Sequence, residues 1–173
     1  MRKLVGPVVV AVAVATLAAC QGGTSDANAS DRQFAHTIAP IEYQAAAIAT
    51  LAPDHAKNDE VKDVAARYHA ESEHALAVMG GRTAALRTKI RNDGLTQDLL
   101  GTEDVLAMQD EQGEAFDRDF VFRLMGQARV SGRLYEAEAK SGGDPFLRGL
   151  GQQMATTRGA EVTRMQAMLR LLP

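Results

Sequence analysis

The sequence predicts an all-α protein, an antiparallel bundle of four amphipathic helices, on three observations. Apolar residues recur at intervals of three and four in four separate segments between Asp31 and Leu172, which is the period of a helix with one buried face. No segment sustains the alternation of apolar and polar residues that a half-buried strand would show. Helix formers dominate from Asp31 onward and proline is scarce, with five in 173 residues. Four helices that each carry one apolar stripe cannot bury it singly, and packing the stripes together makes a bundle.

The first helix places Phe34, Ile38, Ile41, Ala45, Ile48, Ala49 and Ala52 on one face, with Asp31 as its N-cap. Pro40 lacks an amide hydrogen and clashes with the preceding turn, so a kink or a late start is expected there. A second helix carries Val61, Val64, Ala65, Tyr68, Ser72, Ala75, Leu76 and Met79, and Gly80-Gly81 should end or loosen it. The third begins at Phe116 or Phe120 and continues through Leu124, Gln127, Ser131, Leu134 and Tyr135. Ser141-Gly142-Gly143 breaks the pattern, and Asp144 as N-cap with Pro145 at the first helical position starts the fourth helix. Its inward stripe includes Leu147, Leu150, Met154, Arg158, Glu161 and Met165.

The two halves match at a constant offset of 86: Asp31, Arg32 and Phe34 align with Asp117, Arg118 and Phe120, Val61 and Val64 with Leu147 and Leu150, and Met79 with Met165. The expected organisation is therefore two related helical hairpins, residues 31–80 and 113–173, joined by a crossover over 81–112. Short helical pieces are expected in that crossover at 84–90 and 103–108, separated by Asn92-Asp93-Gly94.

The amino terminus reads as export machinery. Arg2 and Lys3 precede a mostly apolar run, and Leu17-Ala18-Ala19 ends directly at Cys20, the pattern of a signal peptide over residues 1–19 with a lipobox. The apolar stretch is interrupted by Gly6-Pro7 and is too short for a membrane span. Cys20 is the only cysteine in the chain, so no disulfide can form within it, and lipidation explains the residue better than burial in a core. Residues 20–30 then serve as lipidated cysteine and flexible tether. The expected location is the extracytoplasmic side of the cell membrane, with the lipid bilayer as partner through Cys20. Signal cleavage removes two basic residues and no acid, which deepens the formal charge of −3 and argues against nucleic acid as a partner.

Phe116-Asp117-Arg118-Asp119-Phe120, the break Gly142-Gly143-Asp144-Pro145, and Glu161-Val162 followed by Met165 together resemble the DUF305 family, a ferritin-like helical domain. Residues 31–79 look like a weaker second copy. The resemblance implies a ferritin-like bundle, and it implies a metal environment: a pair of adjacent histidines on the first helix of each hairpin, after a methionine, with glutamine and glutamate on the second. Some members are associated with copper handling. In this chain the histidine positions are Ile41 and Glu42 in one half and Gln127 and Ala128 in the other. The glutamine and glutamate positions are Ser72 and Ala75, then Arg158 and Glu161, and the methionine positions are Ile38 and Leu124, with Met125 one residue further. The family's imidazoles are missing, and metal chemistry has to be argued from ligands rather than fold.

Three groups of residues remain as candidates. A metal site from Glu42, His69 and Glu73 is geometrically open, although a histidine beside a carboxylate on a helix edge is commonly a surface pair. Met125, Met154 and Met165, with Glu161, offer soft and acidic ligands for copper, although methionine also fills helical cores without any metal. Gln127, Arg158 and Glu161 project from apolar faces and are expected either to form a structural polar cluster, Arg158 pairing with Glu161, or to snorkel to solvent. No nucleophile, base and orienting residue stand at a recognisable spacing, and no glycine-rich phosphate loop is present. The reading is a noncatalytic, envelope-anchored module, structural or binding an unidentified envelope protein, with no cofactor. The alternative is a copper-binding protein using methionines and carboxylates.

Overall fold

The structure, a computed structural model, describes residues 29–85 and 102–173. The signal peptide, Cys20, most of the tether and residues 86–90 of the helical piece expected at 84–90 lie outside the described residues. The described residues form six helices: α1 Ala29–Ala49, α2 Ala52–His55, α3 Asp59–Ala85, α4 Thr102–Asp110, α5 Gly113–Ser141 and α6 Pro145–Leu169. No strand occurs among them, and none of the described helices is long and apolar enough to cross a membrane.

Four of these helices are long, as the apolar stripes predict, and their partners fix the directions. Ser72 and His69 on α3 meet Glu42 and Ala46 on α1, so residue numbers rise along one helix as they fall along the other. Gln44 and Phe34 on α1 meet Gln127 and Tyr135 on α5 in the same antiparallel sense. α5 and α6, joined by residues 142–144, pack most extensively. A Cβ added to Gly151 would stand 2.7 Å from the Tyr135 carbonyl oxygen and 2.9 Å from the Ala139 nitrogen, so only glycine permits the approach. α3 and α5 consequently share a direction, opposite to α1 and α6.

Several local expectations change. α1 starts at Ala29, which takes Ala29 and Ser30 out of the tether and puts Asp31 inside the helix rather than at its N-cap. The Asp31 carboxylate is buried and accepts from the backbone nitrogens of Gly143 (2.7 Å) and Asp144 (3.2 Å), satisfying amides of the α5–α6 turn instead of its own helix. Pro40 sits within a single continuous α1 and is buried, because neighbouring helices cover that turn. α3 continues through Gly80-Gly81 to Ala85, since glycine weakens a helix without forbidding it. Asp144 does cap α6, accepting from the nitrogens of Phe146 and Leu147.

The core has two apolar parts. One, towards α2 and α4, contains Val61, Met108, Phe116, Phe120, Leu124, Met125 and Met165, with Phe116 stacked on Phe120. The other, towards the α5–α6 turn, contains Phe34, Ile38, Leu76, Met79, Tyr135, Leu150 and Met154. A second buried aspartate closes the opposite turn: Asp117 accepts from the nitrogens of Lys57 (3.1 Å) and Asn58 (3.0 Å) between α2 and α3.

Candidate functional site

Between the two apolar parts lies a polar layer contributed by all four long helices: Glu42 from α1, Tyr68, Glu71 and Ser72 from α3, Ser131 and Tyr135 from α5, and Arg158 and Glu161 from α6. Ser72 and Arg158 stand on the apolar stripes of their helices, so burial of the stripes carries the polar groups inward with them.

Arg158 organises this layer. Its side chain is 0% exposed. Nη2 donates to Glu42 Oε2 at 2.6 Å and to Ser72 Oγ at 3.0 Å, and Ser72 Oγ itself donates to Glu42 Oε2 at 2.6 Å. Nη1 donates to Glu161 Oε2 at 2.8 Å and to Glu71 Oε2 at 3.1 Å. The guanidinium lies over the Tyr68 ring, 3.8 Å from its centroid, where the ring face attracts a cation. Gly132 on α5 faces the base of this side chain: a Cβ there would stand 3.3 Å from the Arg158 Cβ.

The electrostatics follow from burial and from these contacts. Removal from water works against the charge on Arg158, but Tyr68, Glu42 and Glu161 outweigh it and the guanidinium is held more firmly protonated than an ordinary arginine. Burial pushes the Glu161 carboxyl up to about 8 against the pull of Arg158, with a hydrogen bond to Glu71 that favours the protonated form raising it further. Burial likewise raises the phenols of Tyr68 and Tyr135. Glu161 and Glu71 are the layer's outer members, 12% and 31% exposed. They line a groove of about 380 Å³ between α3 and α6, together with Val64, Arg67, Ala160 and Arg164.

The sequence-derived candidates distribute unevenly around this layer. Arg158 and Glu161 are together, and the snorkelling alternative fails for Arg158, which has no exposed surface. Gln127 does not join them. Its Nε2 donates to Gln44 Oε1 on α1, because position 127 faces that helix rather than α6. Arg158 also reaches further than its own half: Glu42 and Ser72 are the positions that match family ligands in the first half. Of the metal candidates, Glu42 is held by Arg158 and Ser72. His69 is half-buried with Nδ1 3.0 Å from the Ala46 carbonyl oxygen, and Glu73 is exposed. Met125 and Met165 lie in one apolar part and Met154 in the other. Among the described residues no group of three or more His, Cys, Asp or Glu is arranged to hold a metal ion. Glu138 is buried against Asp31, and a Cβ on Gly142 would collide with its carboxylate.

Sequence reasoning missed the partners that Arg158 finds in the first half: Glu42, Glu71, Ser72 and the Tyr68 face. A signal for Glu42 was available, since it sits on the apolar side of α1 between Ile41 and Ala45, where a carboxylate requires a cation or donors.

A metal centre of the kind the family resemblance implies does not fit this layer. The matching positions are Ile41, Glu42, Ser72, Ala75, Gln127, Ala128, Arg158 and Glu161, with no imidazole among them, and a permanent cation occupies their middle.

Solved structures share this architecture. A DUF305 fragment from Deinococcus radiodurans superposes with a TM-score of 0.77 at 14% identity, covering 84% of this chain and 99% of the other. A DUF305 protein from Streptomyces coelicolor, named as a candidate secreted protein, gives 0.75 at 13% identity, covering 84% of this chain and 92% of its own. CopM in its Cu(II)-bound form gives 0.70 at 18% identity, covering 81% of this chain and 95% of its own. These identities establish a shared fold, and no curated protein matches in sequence. The family described as Domain of unknown function (DUF305) matches residues 31–169, nearly the whole of the described fold, and this chain belongs to it.

Proposed function

We propose that this chain is a noncatalytic, lipid-anchored helical module on the extracytoplasmic side of the cell membrane, structural or protein-binding, in which an internal ion-pair cluster replaces a metal centre. The observation that carries the reading is Arg158, wholly buried and bonded to Glu42, Ser72 and Glu161 at positions aligned with family ligands. A guanidinium supplies the positive charge that buried carboxylates need, holds Glu42 and Glu161 each through Oε2, and repels a second cation. The lipobox ending at Cys20 supports the anchor, and the S. coelicolor neighbour's description as a candidate secreted protein agrees with export. The offset of 86 between the halves supports a ferritin-like bundle made of two related hairpins.

Copper competition tests the central claim. The chain carrying Cys20→Ser, so that no thiol competes, is titrated against chromophoric Cu(I) and Cu(II) chelators. The expected result is that the chelators keep their metal; one copper withdrawn per chain overturns the reading. Mass spectrometry of membrane-extracted protein should find diacylglycerol on an amino-terminal Cys20, and a mature species beginning at Met1 overturns the anchor.

The fold shared with CopM favours one second reading, a copper-binding protein that uses methionines and carboxylates. It requires copper binding that is lost on substituting Met125, Met154 or Met165, or Glu161.

A further inference from the structure

We propose that a proton shared between Glu138 and Asp31 operates the clasp that holds the start of α1 on the α5–α6 turn, so that the clasp loosens when that proton leaves.

Without the proton the donors and acceptors of the clasp do not balance. Asp31, Glu138 and Asp144 are 0%, 1% and 0% exposed. Asp31 accepts from the nitrogens of Gly143 and Asp144, and Asp144 accepts from those of Phe146 and Leu147, so both serve as ionised carboxylates. Among the described residues, none donates to either carboxyl oxygen of Glu138. The Glu138 carboxyl group meets that of Asp31, and two buried carboxyl groups with no donor between them can stay in contact only by sharing a proton.

The surrounding charges leave the same conclusion. Glu138 faces Asp31 from α1, Asp144 from the turn and Arg148 from α6. Arg148 gives its Nη1 to the carbonyl oxygens of Gly142 and Gly143, and the exposed Lys140 on Glu138's own helix is bound to Glu136. Burial, followed by Asp31 and Asp144, raises the Glu138 carboxyl to about 7 against the pull of Arg148. A Cβ on Gly142 would collide with this carboxyl group, so the turn is closed tightly over it. Protonated, Glu138 donates to Asp31 and the clasp is complete. Deprotonated, it adds a third buried negative charge, which is relieved by admitting water and parting Asp31 from the turn.

The other half contains the same clasp without the extra acids. Shifted by 86, Asp117 accepts from the nitrogens of Lys57 and Asn58, while the counterpart of Glu138 is the buried Ala52 and that of Asp144 is Asn58. One acid stands there in place of three, which makes that clasp an internal reference.

Hydrogen exchange of single backbone amides, read by NMR on the labelled chain and corrected for the intrinsic pH dependence of exchange, tests the device. The closed clasp binds the proton more firmly than the open one, so opening becomes easier as pH rises. If opening returns Glu138 from about 7 to its ordinary 4.5, protection of the Gly143 and Asp144 amides should fall about 30-fold between about pH 5.5 and pH 8.5, with the Lys57 and Asn58 amides changing less than about threefold. Glu138→Gln, whose amide can donate to Asp31 at every pH, should keep its low-pH protection throughout. Constant protection in the parent, or an equal fall at both clasps, overturns the proposal. So does a folded Glu138→Gln chain that loosens with pH as the parent does. Should that variant not fold, the Glu138 carboxyl carbon of the parent decides by its carbon-13 shift: a titration midpoint near 7 supports the shared proton, and one near 4.5 overturns it.

Discussion

Replacing Arg158 with methionine isolates what the central cluster contributes. The substitution keeps most of the side chain's apolar stem, which packs on Tyr68, and deletes the four hydrogen bonds of the guanidinium. Its cost is unequal among the partners. Glu71 and Glu161 border the α3–α6 groove, where water can replace the lost donor. Glu42 is 0% exposed and keeps the Ser72 hydroxyl, with the Tyr135 phenol beside it. Removing one partner of a buried ion pair costs about 3–5 kcal/mol, and most of that falls on Glu42. Coupling in a double-mutant cycle should therefore be about 2–3 kcal/mol for Arg158 with Glu42 and about 1 kcal/mol for Arg158 with Glu161. Changing Arg158 and Glu42 together to methionine should cost about 2–3 kcal/mol less than the two single changes summed, because the apolar pair leaves neither buried charge without its partner. Urea unfolding followed by far-UV circular dichroism at pH 7 reads these values, with an unchanged urea dependence as the check on two-state behaviour. A cost below about 1 kcal/mol for Arg158→Met, or coupling to Glu42 within error, refutes the claim that the guanidinium holds the layer together.

Three further outcomes follow from the same geometry. Glu161 and Glu138 are raised in the folded state to about 8 and about 7 from 4.5, both chiefly by burial; the folded chain then holds more protons, so their contribution is full below about pH 4.5 and is lost as pH rises to about 8, and unfolding midpoints across that window check it. Gly151→Ala should cost more than about 2 kcal/mol because its Cβ meets the α5 backbone, whereas Gly149→Ala, with open space, should gain about 0.5–1 kcal/mol, both read by urea unfolding. Asp31→Ala and Asp117→Ala should each cost about 1–3 kcal/mol, since each leaves turn amides that are buried or part-buried without an acceptor; thermal denaturation of the two variants tests this.

Helical periodicity made the fold legible, because a stripe such as Phe34, Ile38, Ile41 and Ala45 can be buried only one way. Helix ends were harder. Asp31 looked like a cap by type and position, yet it serves a turn 112 residues away, and no local pattern distinguishes the two uses. The candidate site was half legible. Arg158 and Glu161 are three residues apart on one helix, so their pairing is visible in spacing. Glu42 is 116 residues from Arg158, and only the register between α1 and α6 brings them together. Gln127 was misplaced for the complementary reason: its polarity was legible, but the neighbour it faces was not.

The two aspartates explain how one arginine can close a layer to which both halves contribute. Asp31 satisfies Gly143 and Asp144, and Asp117 satisfies Lys57 and Asn58. Each pair is the other shifted by 86, so the first turn of each half closes the turn of the other. Ser72 and Arg158 are related by the same shift and touch at 3.0 Å, which places them where the halves meet. From that point the guanidinium reaches Glu42 in the first half and Glu161 in the second. On the proposed reading this one residue obstructs both half-sites, so histidines placed in one half should be insufficient to confer metal binding. A unit charge about 4 Å from a bound Cu(I) opposes it by about 4 kcal/mol at an effective dielectric constant near 20, roughly a thousandfold in affinity. Gln127→His with Ala128→His should therefore leave the chain unable to withdraw copper from a chelator, and adding Arg158→Gln to the pair should confer binding. Circular dichroism establishes that each variant is folded before titration. Tight copper binding by the histidine pair with Arg158 still in place would show that the guanidinium does not guard the layer.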